Sequence, residues 1–438
     1  MALRHVLIGG GPGAVAAAEA IRGADREAEI VVVTADPHGY YSRPGLAYLL
    51  AGELPERRLF PVDPEHLAGL RVEVTRERAV ALDVSGRRVA LAGGRELAYD
   101  RLLLATGSQA VRATVPGGEL DGVVKLDDLE DARDIIRRCR TATAAVVVGG
   151  GITALELVEG LAVRGVRVDY LMRQDRYWRN VLSDAESRLV EDGLAHEGVR
   201  LRHHSELAGI LGRDGRVAGV ETGDGATIRC DLVAVAIGVR PRIELAEAAG
   251  LECGRGVLVD EYLRAGADDV FAAGDIAETR DPATGRGTLD VLWNSAVAQG
   301  RVAGLNMAIG PARVYEKQAA LNITRLAGHK TTIIGTVGNG EDTDLQALAR
   351  GDSQRWSELG PAALVTTRSR DARVRLELGE RALVGAVVMG DQTLSFPLQE
   401  LVEAGADVSA IAERLRERQA PVADIVTAFW QDWTARHA

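Results

Sequence analysis

The stretch VVVGGGITALELVEGL, residues Val146 to Leu161, has the pattern of a buried strand, a glycine turn and a helix. The N-terminus repeats this arrangement as HVLIGGGPGAVAAAEAIR, His5 to Arg22. In such a unit the first glycine permits a tight turn and the second lets backbone N–H groups approach a pyrophosphate, while the helix N-terminus supplies partial positive charge. The sequence therefore predicts two dinucleotide-binding turns in one chain.

Both turns follow the spacing Gly-x-Gly-x-x-Ala, with the alanine where the helix packs on the strand. One such match is a weak signal, but two copies, each between a strand and a helix, favour nucleotide binding over an ordinary glycine turn. The residues expected to bind nucleotide at the turns are Gly9, Gly11, Pro12, Gly13 and Ala14 in the first unit and Gly149, Gly151 and Ile152 in the second.

The strand that follows each turn should end on a carboxylate for the ribose. Asp36, after IVVVTA, fits this requirement in the first unit. In the second unit the strand ends on Met172, and Arg173 follows where an acid would stand. Because an arginine can face a 2′-phosphate, this favours NADPH over NADH, although the sequence leaves the choice open.

Composition excludes several classes of protein. The chain has 438 residues and a formal net charge of −11, which argues against nucleic acid as a partner. No apolar run reaches the roughly 18 residues of a membrane span, and the N-terminal strand leaves no room for a signal peptide. The three cysteines lie far apart, without metal-ligand spacing. We therefore expect a reduced, cytoplasmic protein without a metal site.

The C-terminal part has a different order of predicted strands and helices. From Ala319 on, strand-like pieces (TTIIGTV, AALVTT and RALVGAVVM) precede two helical stretches, 398–418 and 422–436, which predicts a separate α+β domain. One face of the last stretch is apolar and either packs on its own domain or mediates association, such as a homodimer. That face comprises Val422, Ile425, Val426, Phe429, Trp430 and Trp433.

Three further motifs accompany the two turns: LLLATGS (Leu102 to Ser108), AVAIGVRP (Ala234 to Pro241) and VFAAGDIAE (Val270 to Glu278). Together the five motifs resemble the flavin-dependent pyridine nucleotide-disulfide oxidoreductase superfamily over at least residues 3–310. The resemblance implies FAD at the first turn, NAD(P)H at the second, and hydride transfer between them.

The implied fold is α/β, with two Rossmann-like domains of the glutathione-reductase type and a small C-terminal α+β domain. The expected FAD-binding domain is discontinuous, residues 1–111 and 240–311. Residues 112–239 would bind NAD(P)H, and residues 312–438 would form the C-terminal domain.

The resemblance also implies roles for single residues. Asp275 would bind the ribityl chain of the flavin, and Glu156 would contact the nicotinamide end. Trp293 would lie against the isoalloxazine, with Arg43 near the flavin. Two of these residues also have an ordinary structural explanation: Glu156 as an acid near a helix N-terminus, and Trp293 as a core aromatic. The remaining cofactor-binding candidates in the motifs are Ala105, Thr106, Gly107, Gly238 and Gly274.

Disulfide-reducing members of this superfamily carry redox cysteines after the first turn, but the corresponding PHGYYSRPGLAYLLAG has none. The chain is most similar to the cysteine-free branch, which includes rubredoxin and ferredoxin reductases and the N-terminal flavin module of nitrite reductase large subunits. Tyr48 replaces the lysine typical of ferredoxin reductases. We expect an electron-carrier protein, a rubredoxin or ferredoxin, as acceptor. An NAD(P)H oxidase or diaphorase using oxygen or quinone, and a redox-responsive interaction protein resembling apoptosis-inducing factor, remain alternatives.

Overall fold

The structure, a computed structural model, describes residues 2–61, 64–280, 287–337, 363–368, 372–417 and 420–437. Two five-stranded parallel sheets and one antiparallel sheet with three helices organise these residues. The predicted α/β fold with two Rossmann-like sheets is confirmed.

The first sheet is parallel and lies at the centre of the N-terminal part. Its strands are nearly continuous runs of Val, Ile and Leu because both of its faces are covered. Helices Pro12–Ala24 and Trp293–Ile309 pack on one face, and a small antiparallel sheet covers the other. The parallel strands are, in spatial order, Val270–Ala272, Arg101–Leu104, Arg4–Ile8, Glu29–Val33 and Val72–Thr75, and the covering strands are Ala79–Asp83, Arg88–Leu91 and Glu96–Ala98.

The second sheet repeats this plan. Three helices cover one face and a three-stranded antiparallel sheet covers the other. The helices are Leu129–Arg138, Ile152–Val163 and Asp184–His196. The parallel strands are, in spatial order, Arg200–Arg202, Arg167–Leu171, Ala144–Val148, Leu232–Val235 and Val123–Val124, and the covering strands are Leu207–Arg213, Arg216–Thr222 and Thr227–Ile228.

The chain passes between the two parallel sheets twice, and the two passages pair with each other. Strand Ser108–Ala110 leads out of the first sheet and runs antiparallel to Val239–Pro241, which leads back. Shorter elements complete this part: strands Val257–Leu258, Ala277–Arg280 and Gly287–Leu289, helices Gly45–Ala51, Pro64–Gly69 and Glu244–Ala248, and the 3₁₀ helix Glu56–Leu59.

The C-terminal sheet is antiparallel, which agrees with the expected α+β architecture. Its strands are, in spatial order, Leu321–Leu326, His329–Gly335, Leu383–Gly390, Ala372–Leu378 and Ala363–Arg368. The prediction of one continuous helical stretch over 398–418 was wrong. The chain instead forms helices Ser395–Glu403 and Ser409–Arg416, because Gly405 adopts a φ of 57° that ends the first helix.

The last helix, Val422–His437, uses its apolar face within its own domain. Val422, Ile425 and Val426 are buried, and its three aromatic residues pack against the same core. Trp430 donates its indole N–H to Glu400 at 2.6 Å. Within the described residues, no helix is long and apolar enough to cross a membrane.

Candidate nucleotide-binding sites

The first glycine turn ends the central strand of the first sheet. Gly9 has a φ of 132°, and a Cβ there would lie 2.0 Å from the carbonyl oxygen of Ala105. Gly11 precedes helix Pro12–Ala24, and a Cβ on it would meet no atom within 4 Å. The turn is therefore tight on its protein side and open above the helix N-terminus, which is the shape that a pyrophosphate needs.

Backbones of two helices meet directly beside this turn. A Cβ on Gly13 would lie 3.2 Å from the carbonyl oxygen of Ala296, and a Cβ on Gly300 would lie 2.2 Å from that of Gly13. Gly274, with a φ of 81°, contacts the same helix through Ala296. The first turn, the ATG motif (Ala105 to Gly107) and the AGD motif (Ala273 to Asp275) are thus brought together around one helix N-terminus. Ala14 is fully buried behind them.

The second turn has the same geometry. Gly149 has a φ of 151°, and a Cβ there would lie 2.2 Å from the carbonyl oxygen of Ala236, close to Gly238 with its φ of 117°. Gly151 precedes helix Ile152–Val163 and has open space beside its Cα. The structure therefore offers two separate cradles, each at the carboxyl end of a parallel sheet, where open α/β sheets bind ligands.

Asp275 lies half-buried at the mouth of the first cradle. The Ser108 hydroxyl donates a hydrogen bond of 2.6 Å to its carboxylate. Burial raises the pKa of Asp275, while Ser108 and the nearby Arg43 lower it. The Nη1 of Arg43 lies 3.4 Å from the Oδ1 of Asp127. The arrangement leaves one carboxylate oxygen of Asp275 for a hydroxyl-bearing ligand; its contact with the ribityl chain remains a prediction.

Asp36 follows the second strand of the first sheet, at the position expected for the ribose partner. Its carboxylate accepts the backbone N–H of His38 at 2.9 Å, and its own N–H is bonded to Thr34. The first bond orients the half-buried carboxylate and the second fixes the backbone of Asp36 at the sheet's carboxyl edge. Its contact with a ribose remains a prediction.

Trp293 begins helix Trp293–Ile309 and is 48% exposed. Its indole N–H donates a hydrogen bond of 3.1 Å to the Tyr40 hydroxyl. Tyr40 lies in GYYSR, two residues before Ser42, and burial raises the pKa of its hydroxyl. A half-buried tyrosine and an exposed tryptophan thus join segments 253 positions apart. Sequence reasoning had selected Trp293 but missed Tyr40.

Glu156 lies on the second turn of helix Ile152–Val163, half-buried. Burial, and to a smaller extent the neighbouring Glu159 carboxylate, raises its pKa to about 8. Burial also raises the pKa of Glu159 to about 7, against the opposing effect of Arg325. Glu156 is therefore largely protonated at neutral pH and can donate a hydrogen bond.

Arg173 is exposed beyond the second strand of the second unit, beside a segment rich in basic residues. The backbone of this segment is bonded to the neighbouring strand end: the His204 N–H reaches Gln174 at 3.2 Å and the Ser205 N–H reaches Met172 at 2.9 Å. Arg176 forms ion pairs with Asp175 and Asp184. The strand end is followed by Arg173 and Gln174 and not by an acid; the contact of Arg173 with a 2′-phosphate remains a prediction.

A network at the junction of the two parallel sheets was missed by sequence reasoning. Arg242 donates to the backbone carbonyl of Thr106 at 3.2 Å and pairs with Asp127 at 3.2 Å, and Asp127 also pairs with Arg43. The Thr106 hydroxyl returns a bond of 3.0 Å to the Arg242 carbonyl. The network ties the ATG motif to both chain passages. One feature of the sequence could have pointed to Arg242, which directly follows the AIGVRP motif.

The three cysteines are separated in the fold. Cys139 packs at the edge of the helix-covered face of the second sheet, Cys230 against its other face, and Cys253 against the first sheet. Burial raises the pKa of all three thiols, that of Cys230 to about 12. All three are free thiols, and because their pKa values are raised none is poised as a thiolate. The described part of the chain also contains no group of three His, Cys, Asp or Glu residues suited to a metal ion.

Comparison with known proteins gives a consistent result. The family model for pyridine nucleotide-disulphide oxidoreductases matches residues 3–300. The ferredoxin–NAD(+) reductase component of the biphenyl dioxygenase system of Paraburkholderia xenovorans (strain LB400) is 33% identical over 399 residues, which cover 88% of this chain and 95% of that protein.

Solved structures resemble this fold over nearly its whole length. A ferredoxin reductase from Rhodopseudomonas palustris has a TM-score of 0.84 and 23% identity, covering 97% of this chain and 99% of that chain. An engineered water-forming NADPH oxidase, bound to NADPH and derived from a Lactobacillus brevis NADH oxidase, has a TM-score of 0.82 and 20% identity, covering 99% and 100%.

Proposed function

The chain belongs to the pyridine nucleotide-disulphide oxidoreductase family, and we propose that it passes electrons from a nicotinamide nucleotide through FAD to a ferredoxin- or rubredoxin-type carrier protein. It is an NAD(P)H-dependent flavoprotein oxidoreductase. In this proposal FAD lies in a domain of residues 1–111 and 240–311, the nicotinamide nucleotide lies in residues 112–239, and residues 312–438 form a third domain.

The observation that carries this function is the combination of two nucleotide cradles with three scattered, protonated thiols. Helix Gly45–Ala51, which follows Arg43, contains no cysteine. A bound flavin supplies the chemistry of accepting a hydride and releasing electrons singly. Because the three thiols are scattered and protonated, the residues present would suit direct transfer from a bound flavin to an external one-electron carrier.

The residues around the first cradle have separate tasks in this scheme. The open N-terminus at Gly11 and Pro12 binds the pyrophosphate, Asp36 the ribose and Asp275 the ribityl chain. Trp293, bonded to Tyr40, and Arg43, paired with Asp127, would lie beside the isoalloxazine. These side chains orient the reacting groups, and no general acid or nucleophile is required for a hydride transfer.

At the second cradle the protein orients the nicotinamide. Gly151 and the N-terminus of the following helix bind the pyrophosphate of the nucleotide. Glu156, protonated at neutral pH because burial raises its pKa to about 8, donates a hydrogen bond toward the nicotinamide end. A neutral donor avoids placing a second charge beside the reacting rings.

We further propose NADPH as the preferred nucleotide. Met172 and Arg173 stand where NADH-binding units of this type carry an acid. The engineered NADPH oxidase differs from its NADH-using parent by five substitutions, two of which, at adjacent positions, replace an aspartate by alanine and an alanine by arginine. The same combination of a missing acid and a neighbouring arginine supports a 2′-phosphate contact at Arg173.

Arg173→Ala tests this contact. We expect KM for NADPH to rise about 10-fold, equivalent to about 1.4 kcal/mol, with KM for NADH nearly unchanged. Arg213→Ala removes a highly exposed arginine of the same domain and serves as the control. Unchanged NADPH-to-NADH preference in the Arg173 variant would exclude the phosphate contact.

Stopped-flow reoxidation tests the acceptor. The protein is reduced with NADPH or NADH and mixed with a [2Fe–2S] ferredoxin, a rubredoxin, a quinone or oxygen. We expect one of the two carriers to reoxidise the flavin at turnover rate and oxygen to react far more slowly. If oxygen or quinone alone supports turnover, the protein is an oxidase or diaphorase and the carrier proposal is lost.

Size-exclusion chromatography with and without NAD(P)H addresses the assembly state. The proposed homodimer through the C-terminal domain would elute at twice the monomer mass under both conditions. Because the apolar face of Val422–His437 packs within its own domain, another surface of that domain would form the interface. An elution volume that changes on reduction would instead favour a redox-responsive interaction protein.

A further inference from the structure

A buried cluster of charges joins the C-terminal sheet to the second parallel sheet's domain. It consists of Arg375 and Glu377 on strand Ala372–Leu378 and Glu186 in helix Asp184–His196. These three residues are 4%, 2% and 0% exposed. The Nε of Arg375 lies 3.1 Å from both carboxylate oxygens of Glu186, and one terminal nitrogen contacts Glu377.

The same guanidinium also contacts the main chain of a loop. Its second terminal nitrogen, Nη2, donates a hydrogen bond to the carbonyl oxygen of Val181. Glu186 in turn accepts the Ser183 N–H at 2.7 Å, immediately after the loop. Arg375 therefore fixes the end of segment 173–182, which begins with Arg173.

Segment 173–182 rests on the C-terminal sheet. Tyr177 and Trp178 are buried in one apolar cluster with Ile333 and Val387 of that sheet. Trp178 has a φ of 47°, a conformation that is unfavourable for a bulky side chain and persists only where surrounding contacts enforce it. The loop is held from two sides. Within its own domain the Tyr177 N–H donates to Glu191 at 2.6 Å and the Ser187 hydroxyl donates to the Tyr177 carbonyl at 2.7 Å, and from the C-terminal sheet Arg375 donates to the Val181 carbonyl.

We propose that Arg375 is a positioning residue for the nicotinamide nucleotide: through it, the C-terminal sheet holds segment 173–182 in the conformation that binds the adenosine ribose. This inference rests on the proposed function, which places the second nucleotide at this edge of the second sheet. It gives the C-terminal domain a task in nucleotide binding besides any contact with an acceptor.

An arginine suits this task for a geometric reason. Its planar fork reaches Glu186, Glu377 and the Val181 carbonyl at the same time, whereas a lysine offers one compact ammonium group. Apolar residues of similar volume often stabilise a core as well as a buried ion cluster does. The cluster is therefore better explained by the position that it imposes on Val181 than by stability alone.

Arg375→Lys is the decisive variant, because it keeps the positive charge beside Glu186 and loses the reach to Val181. The matched control is Arg381→Lys, which makes the same substitution at an exposed ion pair with Asp407 on the same domain. NAD⁺ and NADP⁺ are titrated calorimetrically into the FAD-loaded proteins. We expect Kd of the preferred nucleotide to rise at least fivefold in Arg375→Lys and to stay unchanged in Arg381→Lys, with full FAD content in both.

A lowered Tm with unchanged Kd in Arg375→Lys would show a purely structural cluster and overturn the inference. If that variant does not fold, Glu186→Gln replaces it, since loss of the carboxylate charge frees the guanidinium while the amide keeps the shape. Unchanged Kd in a folded Glu186→Gln would equally overturn the inference. Wild-type protein that binds neither nucleotide would contradict the proposed function itself.

Discussion

The most unusual single group near the proposed nicotinamide site is the Glu156 carboxyl. Its pKa of about 8 follows first from burial and second from Glu159, one turn further along the same helix face. A carboxyl that stays protonated at neutral pH acts as a hydrogen-bond donor, which an ionised one cannot do. The protonation state of this residue therefore determines what it can offer to a nicotinamide.

The raised pKa predicts a pH-dependent stability. Between its usual pKa of 4.5 and about 8, folded Glu156 keeps a proton that the unfolded chain has lost, so the free energy of unfolding falls as pH rises through this interval. Glu156→Gln has no carboxyl at this position, so its free energy of unfolding does not fall for this reason. We expect the variant to gain roughly 1–3 kcal/mol over wild type at pH 9, less than the full shift implies because a half-buried carboxylate can reach water.

Thermal melting of the FAD-loaded proteins at pH 5, 7 and 9 measures this difference. Glu159, whose pKa is about 7, titrates in both proteins and largely cancels in the comparison. Equal Tm differences at the three pH values would contradict the raised pKa of Glu156.

Asp275 is the second residue with a sharp prediction. In Asp275→Ala the proposed ribityl contact is lost, so the protein should purify with much less FAD. Ser108→Ala removes only the 2.6 Å hydrogen bond that orients the carboxylate and should retain more FAD than Asp275→Ala. The ratio of flavin to protein absorbance measures both. Full flavin occupancy in Asp275→Ala would show that the carboxylate does not hold the cofactor.

At the level of elements, the contact between helices Pro12–Ala24 and Trp293–Ile309 determines the first cradle. Gly300 lies against the Gly13 backbone, and one turn on, a Cβ at Gly304 would lie 2.4 Å from the carbonyl oxygen of Ala17. Residues without side chains thus let the two backbones touch. This contact places the Trp293 end of one helix beside the pyrophosphate end of the other.

Gly300→Ala should therefore disturb both stability and the cradle. The added Cβ would lie 2.2 Å from a backbone oxygen, so the helices must separate, at a cost of roughly 1–3 kcal/mol, and FAD should dissociate more readily. Gly23→Ala, on the same helix pair but with open space, should gain up to about 1 kcal/mol from helix propensity. Tm and flavin retention report on both, and a wild-type Tm in Gly300→Ala would contradict the close approach.

The sequence predicted elements well where a local pattern determines them. The two glycine turns have strict spacing because Gly9 and Gly149 each lie against a carbonyl that leaves no room for a Cβ. Helix ends were less predictable, as the break at Gly405 shows, since glycine ends some helices and sits inside others. The sequence did not predict a role for Tyr40, because its partner Trp293 is distant in sequence and no spacing rule links the two residues.

Across the protein, the two parallel sheets repeat one plan, which the sequence repeat made predictable. The contacts between domains were not predictable. Arg375 and Glu186 are 189 positions apart, and the Arg242–Asp127–Arg43 network joins three segments. Such contacts depend on how finished domains pack, and neither propensity nor motif spacing encodes that packing locally. At this level the proposed electron path has one distinctive feature, that it includes no thiol.

The triple variant Cys139→Ser, Cys230→Ala and Cys253→Ser tests that feature for the whole electron path. Alanine is chosen at the buried Cys230 because it is small and apolar and fits the apolar cluster in which this residue packs. We expect turnover with NAD(P)H and the best acceptor to remain within about twofold of wild type, since a direct flavin-to-acceptor path contains no sulfur step. Single cysteine variants assign any loss to its position. A loss above tenfold in a folded, FAD-loaded variant would mean that electrons pass through a thiol, and the carrier-reductase proposal would then give way to a disulfide-type mechanism.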